Sequence, residues 1–203
     1  MAKASDKIRI GIYAGTFDPV HDGHLSFARE AARQNSLDKV FFMVEPKPRR
    51  KQGVKALVHR QYMIHRSIVD EYKFGNIMLE QERFSVVETM PILQARFKGA
   101  RLYMLMADDV LTHLSGWPHL EELLESVHFI VGLRHSTTQE VQEQAATLEK
   151  ITRLSFNYTI IKAPLSSISS RRIRSVIKSG KQPKGVPAPV LDYIKEQNLY
   201  KPL

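Results

Sequence analysis

Apolar and polar residues alternate along the chain in a pattern that predicts strands and helices in turn. Residues 8–14 (IRIGIYA), 39–45 (KVFFMVE), 76–81 (NIMLEQ), 101–107 (RLYMLMA), 127–133 (VHFIVGL) and 158–163 (YTIIKA) are short apolar runs of the buried-strand type. Between them lie stretches with helical spacing. In 24–34, Leu25, Ala28, Ala31 and Ala32 fall on one side. Residues 56–72, 85–98 and 137–151 read as longer helices. Shorter ones are expected over 108–114 and 120–125, around a turn at Gly116-Trp117-Pro118, and over 169–180 and 188–197.

Strand–helix alternation of this kind predicts an α/β fold: a Rossmann-like, doubly wound, mostly parallel sheet with helices on both faces and a short C-terminal helical extension. The expected organisation is one domain over 1–203, with 165–203 as its helical C-terminal segment; no repeat or long linker divides the chain. In such folds ligands bind beyond the carboxyl ends of the strands. That rule directs attention to the loops after residues 14, 45, 107, 133 and 163.

Composition narrows the chemistry. The chain has no cysteine, which excludes disulfides, thiolate metal sites and a cysteine nucleophile. No apolar run reaches bilayer-spanning length and the N-terminus lacks a signal-type apolar centre, so a cytoplasmic location is expected. The net charge is +9. Basic residues gather at Lys47, Arg49, Arg50, Lys51 and Lys55, and again at Arg171, Arg172, Arg174, Lys178, Lys181 and Lys184. Such clusters suit a polyanionic ligand, either nucleic acid or a nucleoside triphosphate.

The loop after the first strand carries the strongest signal. Gly15-Thr16-Phe17-Asp18-Pro19-Val20-His21-Asp22-Gly23-His24 joins that strand to the first helix. Gly15 permits close approach. His21 and His24, three residues apart at a helix start, can face one anion beside the free N–H groups found there. As imidazolium, or as neutral N–H donors, they would stabilise charge growing on a phosphoryl group. Late in the chain, Ile168-Ser169-Ser170-Arg171-Arg172-Ile173-Arg174 offers a serine N-cap, with Arg171 or Arg174 facing the same end as the helix N–H groups.

GTFDPVHDGH resembles the signature of the HxGH nucleotidyltransferases, and Ile168–Arg174 is similar to their ISSTxIR segment. The likeness is closest to the bacterial-type nicotinate-mononucleotide adenylyltransferases. Ala107-Asp108 followed by Trp117, the strand ending Val131–Arg134, and the ending Val186 to Tyr200 all resemble segments of that family. Three places depart from it. Met106 stands where the family has glycine, Phe84–Met90 keeps little of the S-Y-T-x-D-T-L segment, and Lys47–Lys51 replaces a PPHK-type loop.

The resemblance implies ATP-dependent adenylyl transfer to a phosphorylated acceptor with release of pyrophosphate. The expected acceptor is nicotinate mononucleotide, giving the dinucleotide precursor of NAD. Nicotinamide mononucleotide, phosphopantetheine, and a non-catalytic nucleotide- or RNA-binding role are the alternatives. His21, His24 and Arg174 are the implied catalytic residues. Gly15, Thr16, Phe17, Asp108, Ser169 and Ser170 join them at ATP. Lys51, Thr89, Trp117 and Arg134 are implied at the acceptor, with Lys51 also a phosphate candidate. Mg²⁺ would be bound mainly through ATP phosphates, with no dedicated protein metal site. The implied partners are ATP and the small-molecule acceptor. Neither a membrane nor nucleic acid is expected, and self-association is left open.

Overall fold

The computed structural model describes residues 7–49, 51–162 and 167–201. Six strands form one parallel sheet: β1 (Arg9–Gly15), β2 (Lys39–Val44), β3 (Phe74–Met78), β4 (Arg101–Ala107), β5 (His128–Leu133) and β6 (Tyr158–Lys162). The order across the sheet is β3-β2-β1-β4-β5-β6. The chain builds outward from β1 in one direction and then returns to build outward in the other. β1 and β4 therefore flank the point where strand order reverses, and folds of this kind bind ligands beyond the strand carboxyl ends there.

Eight α-helices are described among these residues: α1 (Asp22–Gln34), α2 (Leu57–Ile68), α3 (Val86–Arg96), α4 (Asp108–Leu111), α5 (Leu120–Ser126), α6 (Thr138–Thr152), α7 (Ser170–Lys178) and α8 (Ala188–Glu196). The strand pleat sends alternate side chains to opposite faces. Tyr103 and Leu105 join the core under α1, α2 and α8, while Leu102, Met104 and Met106 join the core under α3, α4, α5 and α6. The α1 stripe of Leu25, Ala28, Ala31 and Ala32 is buried as its spacing predicts. Phe27 joins it and lies flat over β5. A Cβ at Gly132 would come within 2.8 Å of that ring.

Three boundaries differ from the sequence reading. β3 begins at Phe74 and stops at Met78, short of the expected 81, because β2 stops pairing with it at Val44. α2 ends at Ile68, since a turn at Glu71 returns the chain to β3 through Phe74 N–H donating to Glu71 O. The helix expected over 108–114 is one turn of α4 followed by a 3-10 turn at Leu114–Gly116. The end of the strand expected over 158–163, and the start of the segment expected over 165–203, lie outside the described residues.

Candidate nucleotidyl-transfer site

The loop after β1 is held by its own aromatic residue. Phe17 sits in the left-handed region, with φ 49°, and its ring folds back over Gly15. A Cβ at Gly15 would lie 2.8 Å from that ring, so only glycine fits. The Phe17 side chain is core, edge-on to Tyr13 at 5.3 Å and to His24 at 5.0 Å. Any contact of Phe17 with a ligand therefore comes from its backbone.

His21 and His24 stack face to face, with ring centroids 3.6 Å apart. The His21 N–H donates to Nδ1 of His24 at 3.3 Å. Nδ1 of His24 is thus an acceptor, which assigns its ring proton to Nε2. His21 is 3% exposed and its Nδ1 has no hydrogen-bond partner among the described residues. Burial, then the Arg134 charge, lowers the His21 pKa to about 3. Burial, then His21, Arg134 and Lys51, holds His24 well below the usual imidazole range. The pair is neutral near pH 7, so each ring offers an N–H rather than a full charge.

Cations surround this pair. Lys51 Nζ donates to Thr16 Oγ1 at 2.8 Å, and burial lowers its pKa. Arg134 Nη2 donates to Ile168 O at 3.4 Å. Both residues were expected at the acceptor. Instead, Lys51 is fixed to the first loop, and Arg134 reaches the entry of α7 while its charge acts on both histidines. Short-range anchors thus hold Lys51 at the first loop and Arg134 at the entry of α7.

The second motif docks onto the first. Ser169 caps α7, its hydroxyl accepting from Arg172 N–H at 3.3 Å. Ser170 Oγ donates to Pro19 O at 2.9 Å, and Arg174 Nη1 donates to Asp18 O at 2.7 Å. The Ser170 hydroxyl proton is thus committed to the first loop, where the sequence reading had it on phosphate. That bond docks α7 on the first loop. The N–H groups of Ser170 and Arg171, at the start of α7, have no partner among the described residues.

Asp108 departs from its expected ATP contact. Its side chain is 0% exposed, and Oδ2 accepts from the N–H groups of Arg134 (2.9 Å), His135 (2.7 Å) and Ser136 (2.6 Å). Burial alone would raise its pKa, but the N–H donors of Ser136, Arg134, His135 and Asp109 outweigh that and hold it below the usual carboxylate value. Asp108 therefore shapes the loop that presents Arg134.

On the other side, Trp117 is half-buried and tilted against Phe84, with centroids 5.8 Å apart. Thr89 is 1% exposed and its hydroxyl accepts from Ser85 N–H at 3.1 Å, so it closes the start of α3 rather than facing a ligand. Met106 is buried in the sheet core and does not protrude into the crevice.

Sequence reasoning missed Arg60. It is 1% exposed and donates to four carbonyls: Lys55 O (2.8 Å), Thr16 O (3.0 Å), Glu45 O (2.7 Å) and Pro46 O (2.8 Å). It ties the loops after β1 and β2 together. The only trace in the sequence is an arginine at a helix position whose neighbours Met63 and Ile64 are core.

A family model described as cytidylyltransferase-like matches residues 12–176. The chain belongs to this family. Within the cytidylyltransferase-like family its place is among the nicotinate-nucleotide adenylyltransferases. It is 33% identical over 199 residues to a protein of Lactiplantibacillus plantarum named "Probable nicotinate-nucleotide adenylyltransferase", covering 95% of this chain and 88% of that one. A protein of the same name from Neisseria meningitidis is 30% identical over 200 residues, covering 95% and 98%. Among solved structures, the Plasmodium falciparum nicotinic acid mononucleotide adenylyltransferase complexed with NaAD aligns with TM-score 0.77 at 18% identity, over 95% of this chain and 97% of that one. That likeness establishes the fold.

Proposed function

We propose that this protein transfers the adenylyl group of ATP to the phosphate of nicotinate mononucleotide, releasing pyrophosphate. The observation that carries the reading is convergence. The stacked His21–His24 pair, Lys51, Arg134, Arg174 and the open N-terminus of α7 meet at the sheet's strand-order reversal. An acceptor phosphate oxygen, already ionised near pH 7, attacks the α-phosphorus of ATP. The bond to the β-phosphate oxygen breaks, and pyrophosphate leaves with the electron pair. Such chemistry needs positioning and charge neutralisation, and no protein nucleophile. The His24 Nε2–H donates to phosphoryl oxygen as charge builds. Lys51, Arg174 and the α7 N–H groups hold the β- and γ-phosphates, and the Thr16 and Phe17 backbone shapes the adenylyl side. Trp117 offers a face on which a pyridine ring can stack.

The donor set suits Mg²⁺ carried on the triphosphate. The converging groups are N–H and cationic donors to phosphate oxygens, so the metal would be carried by the triphosphate itself. Mg²⁺ carried on the triphosphate would neutralise charge on the leaving pyrophosphate.

The test is pyrophosphate release from ATP and Mg²⁺ with nicotinate mononucleotide, nicotinamide mononucleotide, phosphopantetheine or no acceptor, on wild type and on His24→Ala. Release that requires nicotinate mononucleotide and is lost in His24→Ala is expected. Release with a different acceptor alone overturns the acceptor, and release with none overturns the reaction.

A further inference from the structure

α8 and the residues after it take no part in the chemistry above, yet they make a buried contact with the first loop. α8 docks on α2 through buried Val190 and Ile194, through His59 Nδ1 at 2.8 Å from Tyr193 Oη, and through Tyr62 and Tyr193 with centroids 4.6 Å apart. The helix then closes with Leu199 N–H donating to Ile194 O at 2.9 Å, and Tyr200 enters the left-handed region with φ 63°. A tyrosine seldom adopts that conformation, which indicates that the surrounding contacts enforce it. The turn drives the Tyr200 ring inward to 7% exposure, and its hydroxyl donates to Asp18 Oδ1 at 2.7 Å.

Asp18 is a buried carboxylate next to the cation that α7 brings to the phosphates. Its Oδ1 takes the Tyr200 hydroxyl and the Lys55 N–H, the latter at 3.3 Å. Its Oδ2 has no hydrogen bond and is ion-paired with Arg174 through Nη1 at 3.7 Å, beyond hydrogen-bond reach. The Arg174 hydrogen goes to the Asp18 carbonyl at 2.7 Å instead. A carboxylate and a guanidinium this close form a paired, bidentate contact when nothing holds them apart. Arg174 so captured is withdrawn from phosphate.

We infer that Tyr200 is a positioning residue of this site: its hydroxyl fixes the Asp18 carboxylate short of Arg174, so that the guanidinium remains available to the triphosphate. The inference rests on the adenylyl-transfer reading. Tyr200→Phe removes one hydroxyl and keeps the ring. Binding of a non-hydrolysable ATP analogue is measured by titration calorimetry on the full chain, beside steady-state kinetics. The expected result is an increase of about tenfold in Kd for the analogue and in KM for ATP, with KM for the acceptor within about twofold. Adding Asp18→Asn removes the charge that competes for Arg174, and it returns Kd to within about threefold of wild type. An unchanged Kd in Tyr200→Phe overturns the inference, as does a further loss on adding Asp18→Asn. A lowered binding stoichiometry at unchanged Kd marks damage to the fold alone and also overturns it. Wild-type turnover in the same assay separates the two levels. Its absence overturns the reaction itself, whereas its presence with an insensitive Tyr200→Phe overturns only the role of Tyr200.

Discussion

The histidine pair shows how burial selects the chemistry of a side chain. Desolvation keeps both rings neutral, and the His21 N–H fixes the tautomer of His24. A neutral Nε2–H can donate to an anion without first being stripped of water as a full charge would be. Lys51 is the complementary case, a cation with its Nζ on Thr16 Oγ1 in the first loop. Lys51→Met is therefore expected to raise KM for ATP about tenfold and change kcat less, as loss of a charged hydrogen bond made in both ground and transition states. Steady-state kinetics with the acceptor saturating checks the split; a fall in kcat at constant KM would place Lys51 on transition-state charge alone.

At the scale of elements, the site is assembled by hydrogen bonds between loops and helices that are distant in the chain. Asp108 gathers three backbone N–H groups after β5, and Ser170 and Arg174 clip α7 to the first loop. Arg60 does the same from α2, satisfying four carbonyls of two loops. Arg60→Met keeps the aliphatic stem and leaves those carbonyls without donors. The expected cost is about 3–5 kcal/mol, measured as a lowered urea midpoint at unchanged slope. A loss under about 1 kcal/mol would mean that water replaces the guanidinium.

At the scale of the whole molecule, the two buried histidines set a pH dependence of stability. In the unfolded chain an imidazole takes up its proton near pH about 6.5. In the folded protein His21 does so only near about 3, because burial and the Arg134 charge oppose it. Between those values the unfolded state binds more protons. Stability therefore falls as pH falls through that window, by up to about 1.4 kcal/mol per pH unit for each histidine, and levels off once His21 protonates. Denaturant midpoints at pH 7, 6 and 5 check the slope, and His21→Asn is expected to flatten it. An equal slope in that variant would assign the effect to other groups.

Much of this was legible in the chain before any coordinates. Short apolar runs alternating with helical stripes determine a parallel sheet covered on both faces, since each element must bury its apolar side. The loop after β1 and the segment 168–174 are local signals: a glycine, two histidines at i and i+3, and a serine before an arginine-bearing helix each act within one turn. Tertiary structure alone decided which distant groups meet. It anchored Lys51 at the first loop and Arg134 at the entry of α7, buried Thr89 and Met106, made Asp108 a clamp on the loop after β5, and joined Arg60 and Tyr200 to the first loop. Periodicity records which face of an element is buried. The partner of a buried polar atom is fixed by packing between segments as far apart as Asp18 and Tyr200, and no local pattern encodes that distance.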